Sequence, residues 1–168
     1  LDKKAIFYFN IKEIIDNKFA TLFPISFQDW SHPVLNPLTK KFVPMALKVR
    51  CYGNYTFKIN QVDIFMRNYI NDNIVTKDIL LGKMDLEVNT IFKKILNELG
   101  SSIYKVPVLE LINSTDKMKQ IINSNVISVS IPSLGIQLMD FTIEFVFLNE
   151  ESNRKVSEYE VGSITLME

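Results

Sequence analysis

The stretch "GIQLMDFTIEFVF", residues 135–147, alternates between two sets of positions from Gln137 onward. A period of two is typical of a strand with one buried face and one more solvated face. One predicted face carries Met139, Phe141, Ile143, Phe145 and Phe147, and the other carries Leu138, Asp140, Thr142, Glu144 and Val146. The charged segment "LNEESNRKVSEYE" follows, so we expect the strand to close a sheet and lead into a polar, helical exit.

A second alternating stretch, "ALKVRCYGNYTFKI" at 46–59, is the clearest strand of the chain and the simplest partner for 135–147. Gly53 falls on its apolar face, which predicts a bend or the close approach of a packed helix. The apolar face consists of Leu47, Val49, Cys51, Gly53, Tyr55, Phe57 and Ile59.

The segments before residue 46 predict further strands. Residues 4–12, "KAIFYFNIK", alternate weakly and are rich in aromatic residues. Residues 19–27 form an apolar piece interrupted by Pro24, which fits an edge strand or a bulge. The proline-rich segment 28–44 predicts an ordered loop or a hairpin connection.

Between these strands the sequence predicts three helices. The first covers 61–70 and is capped by Asn60. The second covers 78–99 and stops at Gly100. The third runs from 115 to about 129, where "IPSLG" ends it. The apolar stripe of the second helix, most simply a core face, is Leu80, Met84, Val88, Ile91, Ile95 and Leu99.

The order of strands, then helices, then a returning strand predicts an α+β fold rather than a doubly wound parallel sheet. We expect an antiparallel or mixed sheet that two to three helices cover on one face. The chain of 168 residues is 47% hydrophobic, which suits one domain with a sizeable core.

Charge and cysteine content exclude several classes of function. Lys+Arg and Asp+Glu are both 19, so the formal net charge is zero. The chain therefore lacks the basic excess that is typical of nucleic-acid-binding proteins, and it has no net positive charge to hold it on an anionic membrane. The single cysteine and single histidine, Cys51 and His32, cannot form an internal disulfide or a four-ligand Cys/His zinc site. No apolar run approaches the length of about 20 residues that a membrane-spanning helix needs.

The candidate catalytic residues are few, and each has a plainer structural interpretation. His32 lies near Asp29 and Ser31, but residues so close in a proline-rich loop rarely form a triad, which favours a loop histidine. Cys51 on an apolar strand face favours a core thiol over a nucleophile. Asp140 and Glu144 could pair as carboxylates, although two solvated side chains are the simpler interpretation.

The lone tryptophan, Trp30, sits among prolines. It fits either an exposed anchor for a membrane or partner, or a plug at the end of the sheet. The second interpretation is favoured.

Three segments together resemble the SPFH (Band 7) domain of stomatins, prohibitins and flotillins. Arg50, Gly53 and Tyr55 match an R-x-x-G-x-Y strand pattern. Pro107, Val108 and Leu109 sit between two predicted helices. The third segment, led by Gly135, is similar to the closing strand of the family. The nearest resemblance is to a bacterial, virion-core-protein-like branch that often carries a C-terminal zinc ribbon.

The resemblance implies how the chain is organised. Residues 1–150 would form an SPFH-like domain, with its first strands upstream of Leu1, and 151–168 would begin a C-terminal helix or tail. No catalytic, cofactor or metal residue is expected in this segment, and any zinc ribbon would lie outside it. Arg50, Gly53, Tyr55, Pro107, Leu109 and Gly135 are then structural positions.

The resemblance also implies a function, namely a non-enzymatic scaffold that forms homo-oligomers and organises membrane microdomains or partner proteins. It would be cytoplasmic and peripheral at the membrane, reaching membrane or membrane proteins through regions outside this segment, and would bind no nucleic acid. The lateral contact between neighbouring copies is assigned to helix 78–99. Two alternatives remain, a soluble α+β protein-binding module and an enzyme using His32 or the Asp140/Glu144 pair.

Overall fold

The computed structural model describes residues 14–69, 77–124, 130–132 and 134–167. The strands are β1 (Ile14–Ala20), β2 (Ile25–Leu35), β3 (Phe42–Ile59), β4 (Ser130–Ile131) and β5 (Ile136–Leu148). The helices are α1 (Val62–Tyr69), α2 (Lys77–Leu99), a 3₁₀ helix (Val108–Asn113), α3 (Thr115–Asn123) and α4 (Glu150–Met167). The predicted strand at 4–12 lies outside the described residues.

Strand β3 is the centre of a five-stranded antiparallel sheet. Strand β1 pairs with its second half and β2 with its first half, so β1 and β2 follow each other along the same side of β3. Strand β5 pairs with the other side of the second half, from Val49 to Ile59, and β4 extends the sheet beyond β5. The predicted α+β class and the predicted pairing of 46–59 with 135–147 are confirmed.

One face of this sheet forms the core together with α2 and α3. Every residue predicted for the apolar face of 46–59 is buried, as are Met84, Val88, Ile91, Ile95 and Leu99 of the predicted helical stripe. Aromatic rings join three elements here. Phe19 of β1 lies 4.5 Å from Phe92 of α2, and Phe92 lies 5.7 Å from Phe141 of β5, measured between ring centroids.

The predicted faces of 135–147 are wrong, because β5 contains two irregularities in its pairing with β3. The register skips Met139, between Leu138 and Asp140, and skips Glu144, between Ile143 and Phe145. Each extra residue reverses the side chains that follow it. As a result Leu138, Phe141 and Ile143 are buried, whereas Phe145 and Phe147 are each 50% exposed.

Other boundaries also differ from the prediction. Residues 19–27 are not one strand, because β1 ends at Ala20 and β2 begins at Ile25, with Pro24 in the short connection. The proline-rich segment 28–44 is mostly strand, since β2 and β3 form a long hairpin through it. Helix α3 ends at Asn123, where the Ser124 N–H donates to the carbonyl of Ile121. The rest of that predicted helix, 125–129, lies outside the described residues.

The pairing of β5 with β3 ends at Val49, and the first turn of α4 covers the same edge of β3 at the next residue, Lys48. The Lys48 N–H donates to Ser152 Oγ at 2.8 Å, and the Asn149 N–H donates to the Lys48 carbonyl at 3.2 Å. The Asn149 side chain in turn accepts from the Ser152 N–H at 2.8 Å, as an N-cap residue does. A helix end thus satisfies backbone groups that an exposed strand edge would leave open.

Candidate functional site

The R-x-x-G-x-Y residues of β3 have three different environments. Arg50 is exposed opposite Phe147, and Tyr55 is 4% exposed within the core. A Cβ atom on Gly53 would lie 1.9 Å from the carbonyl oxygen of Thr142. The close approach predicted at Gly53 therefore exists, but the backbone of β5 makes it, and not a helix.

The remaining family-motif positions lie at turns and at the surface. Pro107 precedes the 3₁₀ helix, and Leu109 within that helix is 68% exposed. Gly135 has a φ of +68°, and a Cβ there would lie 2.4 Å from the carbonyl of Gln61. Arg50 and Gly135 sit at opposite ends of the β3–β5 ladder. The motif residues therefore do not converge on one site.

The prediction of His32 as a loop residue is wrong, because it lies in β2 and is only 7% exposed. Its Nδ1 is 2.6 Å from Asp29 Oδ2 and 3.0 Å from Ser31 Oγ. Its Nε2 faces Glu160 Oε1 of α4 at 3.6 Å, and its ring meets Tyr159 edge-on at 5.1 Å. In a hydrolase triad the serine and the carboxylate contact opposite ring nitrogens, so this arrangement serves instead to join β2 to α4.

The thiol of Cys51 lies in the core, as predicted, and is 2% exposed. Burial raises the pKa of Cys51 to about 12, since the low-polarity surroundings disfavour the thiolate. A nucleophilic cysteine needs the opposite shift in its pKa. The environment of Cys51 is therefore that of a structural side chain.

The two carboxylates of the predicted Asp140/Glu144 pair have separate partners. Asp140 Oδ1 lies 3.7 Å from Lys119 Nζ of α3, while Glu144 accepts a hydrogen bond from the side-chain amide of Asn54. Across the described part of the chain, no group of three or more His, Cys, Asp or Glu residues could hold a metal ion. Asp140 and Glu144 therefore do not act as a carboxylate pair, because each contacts a different side chain at the surface.

Trp30 packs at the end of α2. Its indole N–H donates to the carbonyl of Gly100 at 3.0 Å, and Lys105 Nζ lies 5.1 Å from the ring centroid. This arrangement agrees with the plug interpretation, because both contacts tie β2 to the residues that follow the helix.

Two exposed apolar surfaces were missed by the sequence reasoning. The first, here called the outer aromatic cluster, consists of Tyr52, Phe145 and Phe147 on the sheet face opposite the core. Tyr52 and Phe145 stack with centroids 4.9 Å apart, and Phe145 and Phe147 stack at 5.9 Å. The irregularity at Glu144 places them there, and no period-two pattern in the sequence signals it.

The second surface, here called the hairpin tip, comprises residues 34–43 at the turn between β2 and β3. Leu35, Leu38 and Phe42 are 55%, 91% and 67% exposed, and Val34 and Val43 beside them are also exposed. A signal was present in the sequence, because six of these ten residues are apolar or proline in a segment interpreted as a connection. Folded domains rarely expose grouped apolar side chains without a use for them.

Among the described residues, no helix is both long and apolar enough to cross a bilayer. The family model described as "SPFH domain-Band 7 family" matches residues 2–164. The comparisons with curated proteins and with solved structures give no match.

Proposed function

The chain belongs to the SPFH domain-Band 7 family, and from this membership we propose that it is a non-enzymatic, membrane-associated scaffold. It would self-associate into a homo-oligomer and organise membrane microdomains or partner proteins. The observation that carries the proposal is the family match over residues 2–164, nearly the whole chain. Family members are typically scaffolds of this kind.

Two structural observations support a scaffold over an enzyme. The Cys51 thiol has a raised pKa within the core, which suppresses nucleophilic chemistry. His32 holds Asp29 and Ser31 on the same ring nitrogen and uses the other nitrogen to face α4. The most reactive side-chain types of the chain are thus engaged in packing and in joining elements.

Self-association would need a lateral contact, for which the sequence suggested helix 78–99. The described residues of its apolar stripe are occupied in the core, so such a contact would have to use the solvent side of α2. Leu86, which is 68% exposed, lies on that side. The outer aromatic cluster is a second exposed apolar surface open to a neighbour.

The finer assignments are also proposals. The protein would act on the cytoplasmic side, peripheral at the membrane, and would belong to the bacterial, virion-core-protein-like branch. A zinc ribbon, if the full-length protein has one, would lie outside residues 1–168. The sequence of the full-length protein tests both the branch and the ribbon.

The decisive experiment is the mass and shape of the full-length parent protein, by light scattering combined with negative-stain microscopy. A large ring or cage is expected for a family scaffold. A compact monomer or dimer would contradict the scaffold proposal and would favour a soluble binding module built on the same fold.

A further inference from the structure

The hairpin tip is exposed on both faces of its two-stranded ribbon. Val34 pairs with Val43 and Leu35 pairs with Phe42, and all four side chains are at least 38% exposed. Leu38, at the turn, is 91% exposed. A hairpin packed on its own domain would bury one face, so this segment projects beyond the body of the molecule.

The tip is held in shape by its own hydrogen bonds. The Asn36 side-chain oxygen accepts from the Leu38 N–H at 2.9 Å, and the Asn36 carbonyl accepts from the Lys40 N–H at 2.8 Å. The Asn36 N–H donates to the Lys41 carbonyl at 2.9 Å. Leu38 is therefore presented to solvent by an ordered turn, which lowers the entropic cost of placing it in an apolar medium.

Charge distinguishes among the possible partners of this surface. The only ionisable residues from Pro33 to Pro44 are Lys40 and Lys41, and both are exposed. A second copy of the tip would bring four like charges together, and Pro33 and Pro44, paired at the base, disfavour addition of another strand. Apolar side chains beside lysines, without acidic neighbours, complement an anionic lipid surface.

We propose that the hairpin tip inserts into the interfacial region of an anionic bilayer, with Leu38, Leu35 and Phe42 among the acyl chains and with Lys40 and Lys41 at the phosphates. This inference deepens the membrane association of the proposed function and rests on it. It assigns to the domain itself a membrane contact that the sequence analysis placed outside this segment. The occupant is a lipid surface, not another protein.

The test measures binding of the full-length protein to phosphatidylcholine vesicles containing about one-third phosphatidylglycerol, by flotation. The tip variant is Leu38→Ser/Phe42→Ser, and its matched control is Leu22→Ser/Phe23→Ser. The control removes one leucine and one phenylalanine, which are 44% and 76% exposed, from another surface. We expect the tip variant to lower the partition coefficient at least about tenfold and the control to change it less than about twofold.

The lysines give a second, independent readout. Lys41→Gln should weaken binding to the anionic vesicles by about fivefold and leave any binding to pure phosphatidylcholine unchanged. A polarity-sensitive fluorophore on Leu38→Cys should shift to the blue with anionic vesicles, whereas one on Phe23→Cys, at a position that is 76% exposed, should not. Within residues 1–168 the labelling is selective, because the one native thiol there, Cys51, is buried.

The possible outcomes separate this inference from the proposed function. Equal vesicle binding by the wild type and the tip variant, or no binding by either, would overturn the inference, whatever the size of the assembly. The inference would also be overturned if, in the absence of lipid, the tip variant formed an oligomer of different mass from the wild type. The tip would then contact another copy of the protein. If the full-length protein is a monomer and its vesicle binding depends on the hairpin tip, the inference holds and the scaffold proposal is wrong.

Discussion

At the residue scale, Gly53 shows how closely two backbones approach in this sheet. A side chain there would have to displace the carbonyl of Thr142, which belongs to a strand and cannot rotate away. We expect Gly53→Val to lower the free energy of unfolding by roughly 1–3 kcal/mol or more, through strain in the core. Equilibrium denaturation in urea measures the change.

Gly82→Ala is the matched control for that substitution. Gly82 lies on an exposed position of α2, with no atom within 4 Å of an added Cβ. Alanine is favoured over glycine in a helix, so this variant should be stabilised by up to about 1 kcal/mol. Equal effects of the two substitutions would refute the close approach at Gly53.

Cys51 yields a pH-dependent prediction. The folded-state pKa is raised to about 12 from 9.0, so above pH 9 the unfolded chain loses this proton while the folded chain keeps it. Stability from this group is present below pH 9 and falls as the pH rises toward 12. Between about pH 8 and about pH 10, the wild type should lose on the order of 1 kcal/mol more stability than Cys51→Ala.

The check is a pair of urea denaturation series for the two proteins at both pH values. The quantity compared is the change in unfolding free energy between the two pH values. Lysine and tyrosine titrations contribute equally to this change in both proteins, and the cost of the smaller side chain does not depend on pH. Parallel losses of stability would show that the Cys51 thiol is not shielded from solvent.

At the scale of secondary-structure elements, Ser152 helps to join α4 to β3. Ser152 is 2% exposed and accepts from the Lys48 N–H, so Ser152→Ala leaves that donor without its partner. We expect a net destabilisation of about 1 kcal/mol, after the better helix propensity of alanine is included. Hydrogen exchange should also speed up at Lys48.

Ser157→Ala is the control, because Ser157 is exposed on the same helix. It gains the same helix propensity without touching the sheet, so its stability should be unchanged or slightly raised. Faster exchange at Lys48 in both variants would mean that fraying of α4, and not the lost hydrogen bond, is being measured.

The elements with uninterrupted periodicity were predictable from the sequence. The period of β3 holds over all of 46–59, and α2 runs as predicted to Leu99, where Gly100 follows. The faces of β5 were not predictable, because its two extra residues depend on pairing with a strand about 90 residues away in sequence. Local periodicity carries no information about such irregularities.

The residues of the candidate site were likewise predictable only where the local pattern was sufficient. The core position of Cys51 followed from its place on an apolar strand face. The hairpin tip was hidden because prolines suggested a loop, whereas Pro33 and Pro44 face each other within the hairpin. Prolines are compatible with strands where their missing N–H is not needed, and only the register shows where that is.

At the scale of the whole molecule, sheet and helices share a single core, so they should unfold together. Phe92 is fully buried on α2 and contacts Phe19 of β1 and Phe141 of β5. Trp30 of β2 reports on the contact between the sheet and the end of α2, through its hydrogen bond to Gly100. The only tryptophan is therefore a natural probe of tertiary structure, while far-ultraviolet circular dichroism reports on the helices.

We expect tryptophan fluorescence and circular dichroism to give superimposable urea transitions, as two-state unfolding requires. Phe92→Ala should shift both curves together and lower stability by about 3–5 kcal/mol, because it leaves a cavity between three elements. If the helices and the sheet unfolded as separate units, Phe92→Ala would shift the urea midpoint of the circular dichroism curve and leave the midpoint of the fluorescence curve unchanged. That separation would contradict a continuous core shared by the sheet and the helices.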